Sequence, residues 1–299
     1  MKQKILLCCI CAFLFFSCKK DKKVTPATKL YPVSFNLSGF TQTQVPIGKV
    51  KTASLGTQAT DTIPVQSLVY MLFREPESNA LQRTLVTQRR SEKGTSGFGT
   101  FTDNVPTGNY TAIFIGGSAD LNMLPSNNFS YAAQSPATTA YWDDTFYKRV
   151  PITVTASGIN QAVTMKRFTG RLDLVLKDAI PVGTSKITVS FKDTIIVNAY
   201  AGTKAFGLGT NFTAKTINAT DIGTTNYSIT MNTLNTKPFD VTISYYGANP
   251  TGPLGTKVVK NVLCKINTKT TLTGNLFSPG NSEFDITVNQ DWDTVNVGF

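Results

Sequence analysis

Two carboxylate pairs come closest to the spacing of a catalytic site: Asp143 with Asp144, and Asp291 with Asp293. Glycoside hydrolysis needs two acids that face each other across a substrate cleft. Neighbouring strand residues point to opposite faces, so Asp143 and Asp144 do not meet this requirement. Asp291 and Asp293 share a face, but the further oxygen ligands of a calcium loop are missing. We therefore interpret all four as solvated turn carboxylates.

Other catalytic and metal chemistry is excluded by composition. The chain has no histidine, and four of its five cysteines lie in residues 8–18. Histidine-based triads and His-ligated zinc are therefore excluded. Cys264 is the only cysteine in the remaining chain, so an internal disulfide and Cys-ligated clusters are excluded there. We predict that Cys264 is a buried residue that packs in the core. The sequence thus predicts a protein that is not an enzyme and has no cofactor.

The N-terminal residues predict a signal peptide that ends at a lipid-modified cysteine. Lys2 and Lys4 precede an apolar run, residues 5–16, that is too short to span a bilayer as a helix. Ser17 then precedes Cys18, where a bacterial lipobox places the acylated thiol, although Phe15 stands where Leu is usual. We predict an outer-membrane lipoprotein, with acyl chains such as palmitate on Cys18, at the cell surface or on the periplasmic side. The alternative is ordinary cleavage, which would leave a soluble periplasmic protein.

The net charge of +11 could indicate nucleic-acid binding. However, the basic residues are spread along the chain, and nothing in it resembles a nucleic-acid module. We predict scattered surface lysines and arginines, with no nucleic-acid partner.

Alternation of apolar and polar residues from Tyr31 onward predicts β-strands with one buried face. Residues 68–73 are apolar on both faces, which predicts a central strand. Residues 116–141 are small and polar, and we predict an extended surface loop there. The alternating runs begin at Val33, Leu172, Ile187, Phe239, Phe284 and Val295, and residues 109–115 are a further candidate strand.

The predicted fold is all-β, with antiparallel strands in two sandwiches or barrels. Removal of residues 1–17 leaves 282 residues, enough for two domains of about 100–150 residues each. We predict a signal peptide at 1–17, a lipid-anchored tether at 18–30, and β-domains at 31–167 and 168–299.

Two further sequence features suggest surface chemistry. Asp-Thr followed by Ile or Val occurs at Thr62, Thr194 and Thr294, similar to the acceptor of a periplasmic O-glycosylation system in some Gram-negative bacteria. The pairs Tyr141-Trp142 and Tyr245-Tyr246 could stack on glycans, although we expect one residue of each pair to be in the core.

Several motifs resemble those of fimbrillin-like proteins, the subunits and lipid anchors of type V pili. The segment from Val163 to Pro181 is similar to their interdomain segment, in which one strand ends in Arg and the next ends in Asp-x-x-Pro. Residues 65–74 and 98–109 resemble two core segments of the family, and residues 292–299 resemble its terminal strand. The resemblance implies two transthyretin-like antiparallel β-sandwich domains and a role in pilus assembly.

One departure from the family pattern concerns polymerisation. Stalk subunits of the family are cut after an Arg that follows their first strand. Here Lys49 and Lys51 occupy that stretch, and the first Arg is Arg74. The resemblance therefore implies an uncut anchor or accessory subunit.

The sequence as a whole predicts a lipid-anchored fimbrillin-like structural or adhesion protein that assembles by β-strand addition. Val295, Val297 and Phe299, on one face of the last predicted strand, are the candidate strand-exchange residues. The expected partners are the membrane, other pilus subunits and glycans. The alternative is a surface glycan-binding lipoprotein on the same architecture.

Overall fold

The computed structural model describes residues 28–40, 65–76, 83–117, 122–124, 128–130, 139–140, 142–194, 196–204, 208–248, 252–278 and 284–289. These residues contain β-strands and no helix, which confirms the all-β prediction. The strands up to residue 167 are β1 Tyr31–Phe40, β2 Ser67–Arg74, β3 Thr84–Glu92, β4 Thr100–Val105, β5 Gly108–Gly117, β6 Asn122–Leu124, β7 Asn128–Ser130, β8 Thr139–Ala140, β9 Thr145–Val154 and β10 Ile159–Arg167. Those that follow are β11 Gly170–Leu176, β12 Lys186–Thr194, β13 Ile196–Asn198, β14 Thr203–Lys204, β15 Leu208–Thr216, β16 Tyr227–Thr233, β17 Phe239–Tyr246, β18 Gly255–Val262, β19 Lys269–Gly274 and β20 Asp285–Asn289.

The first sandwich is a sheet of order β3-β2-β5-β9-β10-β1-β4 that folds over its own core. Strands β9 and β10 pair only at residues 146–147 and 166–167, so the sheet turns at this seam. Apolar side chains from β1, β4 and β10 then meet those from β2, β5 and β9. At the centre, neighbouring rings among Phe35, Tyr70, Phe101 and Phe114 have centroids 4.9–6.1 Å apart, a range typical of aromatic packing.

The second sandwich packs the sheet β16-β11-β19-β20 against the sheet β18-β17-β12-β15-β8. Its core contains the alternating residues that the sequence predicted in β11, β12 and β17. They are Leu172, Leu174, Leu176, Ile187, Val189, Phe191, Val241 and Ile243.

Two strand pairs are parallel, so the prediction of purely antiparallel sheets is wrong for them. β1 pairs in parallel with β10, and β11 pairs in parallel with β19. Each of these first strands also has an antiparallel neighbour, β4 or β16. Parallel neighbours require a long crossover, and here the crossover includes several other strands. Alternation within a strand carries no information about such a distant neighbour.

A third core explains why β2 is apolar on both faces. Leu68, Tyr70 and Leu72 point into the first sandwich. Val69, Met71 and Phe73 point the other way, into a cluster that also contains Trp142, Val197 and Leu234. β2 lies between β3 and β5, which confirms that it is a central strand.

The predicted surface loop at 116–141 is wrong in part, because its described residues include short strands. β6 and β7 form a four-stranded sheet with β13 and β14, and β8 pairs with β15. Strands from before residue 167 thus add to sheets from after it. The domain boundary at 167/168 stays a prediction.

One more expectation fails at β20. Ile286 and Val288 were predicted to face a core, but they are 43% and 44% exposed. Among the described strands β20 has a single neighbour, β19. Phe284, just before the strand, packs against the second core instead.

Candidate functional site

Of the site residues predicted from the sequence, the structure describes only Thr194. Cys18, Thr62, Thr294, Val295, Val297 and Phe299 lie outside the described residues, as do Asp291 and Asp293. Thr194 is fully buried at the end of β12, and its carbonyl oxygen accepts a 2.6 Å hydrogen bond from the Trp142 indole. Glycosylation of Thr194 would therefore have to precede folding, and it stays a prediction.

Asp144 is buried, so its interpretation as a solvated carboxylate is wrong. Both of its carboxylate oxygens accept hydrogen bonds from Arg167, at 2.7 and 2.8 Å. Burial, followed by the neighbouring charge of Asp144, raises the pKa of Asp143. The two acids belong to the joint between the halves of the chain, and Asp144 is structural.

Two other carboxylates fix backbone turns. Asp193 is fully buried and accepts hydrogen bonds from the backbone N–H groups of Thr194 and Leu234 and from the side chains of Asn211 and Thr233. Its carboxylate therefore ties β12 to β15 and β16. No local sequence pattern indicates this role, because the partners are up to 41 residues away.

Asp178 plays a similar part in the segment that resembles the family's interdomain motif. Its carboxylate accepts hydrogen bonds from the backbone N–H groups of Leu276, Phe277 and Ser278, at 2.7–3.0 Å. The aspartate of this motif thus has a structural role, because Asp178 fixes the backbone of the segment that follows β19.

The pairs Tyr141-Trp142 and Tyr245-Tyr246 were each expected to place one residue in the core. The described residues of both pairs agree with this expectation. Trp142 is fully buried in the third core, while Tyr141 lies outside the described residues. Tyr245 packs edge-on against Phe277 near the second core. Tyr246 is half-buried, with the Lys186 ammonium 4.4 Å from its ring centroid, so it is a surface aromatic.

A cleft at the junction of the two halves is a candidate surface site among the described residues. Strands β2, β5 and β9 share an outer face, which is apolar where the residues of the third core pack on it. The rest of this face, which the third core leaves uncovered, is polar. Glu75, Asn109, Arg149 and Thr153 line this polar part, with Tyr200 overhanging it from the other half of the chain. The cleft has a volume of about 310 Å³ and is open to solvent.

The turn after β13 positions Tyr200. The Asn198 side chain accepts a hydrogen bond from the Ala201 N–H, and its carbonyl accepts one from Gly202. Gly202 has a φ of 62°, and a Cβ there would lie 2.7 Å from the Tyr147 ring. Tyr147 in turn donates its hydroxyl to the carbonyl oxygen of Ala199, at 2.8 Å. Glycine is required because the turn lies directly on the tyrosine ring.

A chain of polar contacts crosses the cleft. Arg149 donates to the Tyr200 hydroxyl at 2.6 Å, and that hydroxyl donates to Glu75 at 2.7 Å. The Arg83 guanidinium lies 3.7 Å from the Tyr200 ring centroid and 3.9 Å from the Glu75 carboxylate. Burial raises the pKa of Tyr147, below the turn, to about 12. The sequence did not single out Tyr200, since its neighbours Ala199 and Ala201 form no motif with it.

Metal and membrane features are absent from the described part of the chain. It contains no group of three or more side chains that could hold a metal ion. It also contains no helix long and apolar enough to cross a bilayer.

The architecture is similar to that of a solved bacterial surface protein. A candidate adhesin from Bacteroides thetaiotaomicron VPI-5482 superposes with a TM-score of 0.51 at 12% identity, over 91% of this chain and 100% of that one. This chain shares its fold. The fold implied by the resemblance to fimbrillin-like proteins is thereby confirmed.

Two further structures are similar at lower scores. They are the fimbrial anchor protein Mfa2 from Porphyromonas gingivalis (TM-score 0.48, 12% identity, 90% of this chain and 100% of that one) and a candidate polysaccharide-binding protein from Bacteroides thetaiotaomicron VPI-5482 (TM-score 0.48, 9% identity, 76% and 88%). No protein-family model matches the sequence. No curated protein matches it either.

Proposed function

We propose that this protein is a non-enzymatic, lipid-anchored structural or adhesion protein of the cell surface, an anchor or accessory pilus subunit that assembles by β-strand addition. The observation that carries the proposal is the edge of the second sandwich at β20. A strand edge presents unpaired N–H and C=O groups to a partner strand. On β20 this edge also exposes Ile286 and Val288.

Two other edge strands among the described residues, β3 and β18, carry more charge than β20. β3 contains Arg89 and Arg90, and β18 contains Lys257 and Lys260. Charges on an edge oppose pairing with another chain. The sequence of β20 is Asp-Ile-Thr-Val-Asn, with a single charge at Asp285. We infer that β20 is the edge used for assembly.

Two further features of the first sandwich oppose pairing of its strands with another chain. Arg89 on β3 donates to the Thr102 carbonyl of β4 at 2.8 Å and forms a 2.6 Å ion pair with Asp103. Beyond residue 147, where β9 no longer pairs with β10, Pro151 pairs with Thr111 of β5 and has no N–H to offer a further strand. Both features favour assembly through the second sandwich instead.

The segment that follows β20 supplies the complementary element. Val295, Val297 and Phe299 alternate with polar residues, so they would place three apolar side chains on one face of a strand. Full burial of each is worth roughly 1.5–3 kcal/mol. This segment would pair either with an edge of its own sheet or with the groove of a neighbouring subunit.

The proposal is tested by two substitutions on matched edges. Val288→Lys places a charge on β20, and Val258→Lys places one on β18 at nearly the same exposure, 44% against 45%. We expect Val288→Lys to abolish co-purification with pilus subunits co-expressed in the host, without lowering the melting temperature. We expect Val258→Lys to leave co-purification intact. Equal co-purification of both variants and the wild type would contradict the proposal.

Deletion of residues 294–299 tests the donor side. We expect either a lower melting temperature of the second sandwich or loss of subunit association. A truncated protein with unchanged melting temperature and unchanged association would show that the segment does neither.

The lipid anchor has its own test. We expect Cys18→Ala to release the protein from membranes, because two or three acyl chains provide the membrane affinity. Mass spectrometry of the wild type should show acylation at this residue. An unmodified wild type, with membrane retention of the variant, would contradict the lipoprotein assignment.

Glycan binding is the second candidate function, and the cleft beside Tyr200 favours it. The cleft combines an aromatic ring with hydroxyl, amide and charged groups, the groups that orient small polar ligands. Binding of host or environmental glycans there is compatible with anchoring by Cys18.

A further inference from the structure

Arg149 in the cleft stacks over the Tyr200 ring, 4.4 Å from its centroid, and is linked to Glu75 only through the Tyr200 hydroxyl. No carboxylate of the described residues lies within ion-pair distance of Arg149, and its hydrogen-bond partner is the neutral Tyr200 hydroxyl. The neighbouring Glu75 is already engaged, since it accepts from Tyr200 and Thr111 and lies 3.9 Å from Arg83. The N–H donors of Arg149 that do not bind Tyr200 therefore remain for an external anion.

A second donor lies on the same floor of the cleft. Thr153 donates its hydroxyl to the side-chain oxygen of Asn109, at 2.8 Å. That contact leaves the amide N–H groups of Asn109 to donate to a ligand, and it leaves the Thr153 oxygen as an acceptor. The exposed Pro151, which also lines the cleft, offers an apolar wall.

We propose that this cleft binds one acidic sugar unit, a pyranose ring that carries a carboxylate, through Arg149 and Asn109. Arginine recognises carboxylates with two parallel N–H donors. The hydroxyl groups of a sugar match the amide and hydroxyl groups of Asn109 and Thr153. The C–H face of the ring fits against Pro151.

The size and lining of the cleft select this ligand over other classes. Its volume of about 310 Å³ is at the lower end of the range of about 300–1,000 Å³ for ligand pockets. It suits one ring better than an extended peptide. An apolar ligand would leave Arg149 and Asn109 without hydrogen-bond partners, which is costly. A neutral sugar would leave the charge of Arg149 uncompensated.

This inference rests on the adhesive part of the proposed function and names its ligand class. The test uses the full mature chain, kept soluble by Cys18→Ala, and isothermal titration at low salt with tetragalacturonate. The fully methyl-esterified tetramer is the neutral control, because it keeps the sugar and removes the charge. We expect the acid to bind and the ester to bind at least tenfold more weakly.

Arg149→Gln and Lys215→Gln separate the cleft from general electrostatic attraction, and Asn109→Ala tests the second donor. Arg149→Gln removes the guanidinium, and Lys215→Gln removes an equal charge from an exposed position on β15. We expect at least a tenfold loss of affinity for Arg149→Gln, a loss of a few-fold for Asn109→Ala, and no change for Lys215→Gln. The melting temperature of each variant shows that it is folded.

Three results would overturn the inference: no binding of tetragalacturonate, equal binding of acid and ester, or equal losses for Arg149→Gln and Lys215→Gln. None of them would affect strand addition, whose test uses β20 and residues 294–299. Conversely, failure of the Val288→Lys test would leave the sugar-binding cleft standing.

Discussion

Arg167 forms two parallel hydrogen bonds to the buried carboxylate of Asp144, from Nε to Oδ1 at 2.7 Å and from Nη2 to Oδ2 at 2.8 Å. The pair lies at the end of β10, where the chain passes from the first half to the second. Arg167 also contacts Phe146 on β9 and donates to Asn267, 100 residues along the chain. Arg167 thus forms an ion pair within the first half of the chain and a hydrogen bond to a turn of the second half.

Breaking this pair is expected to cost more than breaking a surface pair. Arg167→Met leaves a buried carboxylate without its partner, and we expect the free energy of unfolding to fall by about 3–5 kcal/mol. The double variant Asp144→Leu with Arg167→Met should recover much of the loss, since no charge then stays buried. Urea denaturation measures both. The control is Lys260→Met, which breaks the exposed ion pair with Asp240. An equal loss of stability in Arg167→Met and Lys260→Met would contradict the prediction.

Gly202→Ala is expected to displace the turn that carries Tyr200. The substitution forces an L-residue to a φ of 62° and drives its Cβ to 2.7 Å from the Tyr147 ring. Gly183→Ala is the matched control, because its φ is 88° but nothing lies within 4 Å of the added Cβ. Left-handed backbone costs about 1–2 kcal/mol at either position. We expect Gly202→Ala to lower the stability more than Gly183→Ala does, as measured by thermal denaturation. Equal destabilisation by the two substitutions would contradict the close contact between residue 202 and the Tyr147 ring.

Trp142→Ala should weaken the joint between the two halves. The substitution removes a fully buried side chain from the third core and the hydrogen bond to the Thr194 carbonyl. We expect the free energy of unfolding to fall by about 3–5 kcal/mol. In calorimetry, the wild type should show a single unfolding transition and the variant should show two. Val182→Ala, at a position that is 90% exposed, should change neither property. A single, unshifted transition for Trp142→Ala would show that the third core does not couple the halves.

Cys264 should be unreactive in the folded protein and should make stability depend on alkaline pH. Burial is the main cause that raises the pKa of its thiol to about 11, from 9.0. Between these values the unfolded state loses the proton and the folded state keeps it, so the thiol's contribution to stability falls as the pH rises from about 9 to about 11. We expect a steeper loss of stability over this window in the wild type than in Cys264→Ala, in paired denaturation series.

Thiol labelling provides a second measurement at Cys264. In the Cys18→Ala background, we expect a disulfide reagent at pH 8 to label Cys264 only after denaturant is added, because the thiolate is the reactive form. Rapid labelling of the native protein would contradict the assignment of Cys264 as a buried structural residue.

Some features of this protein follow from the sequence alone. The alternating residues of β1, β11, β12 and β17 predict which face of each strand is buried, because side chains alternate across a strand whatever its neighbours are. The apolar run from Leu68 to Phe73 likewise predicts that both faces of β2 are covered. The absence of histidine excludes whole classes of chemistry without any coordinates.

The tertiary structure decided everything that depends on distant partners. The sequence pattern shows which way Ile286 and Val288 alternate, but only the tertiary structure shows that β20 is an edge among the described strands and that both side chains are exposed. Asp144 had the local pattern of a solvated turn residue, and Arg167, 23 residues away, makes it a buried partner. Tyr200 enters the cleft because a turn from one half packs on Tyr147 of the other. Local sequence reports the period of a side-chain pattern, whereas pairing, burial of charge and clefts arise from contacts between segments that are brought together only when the chain folds.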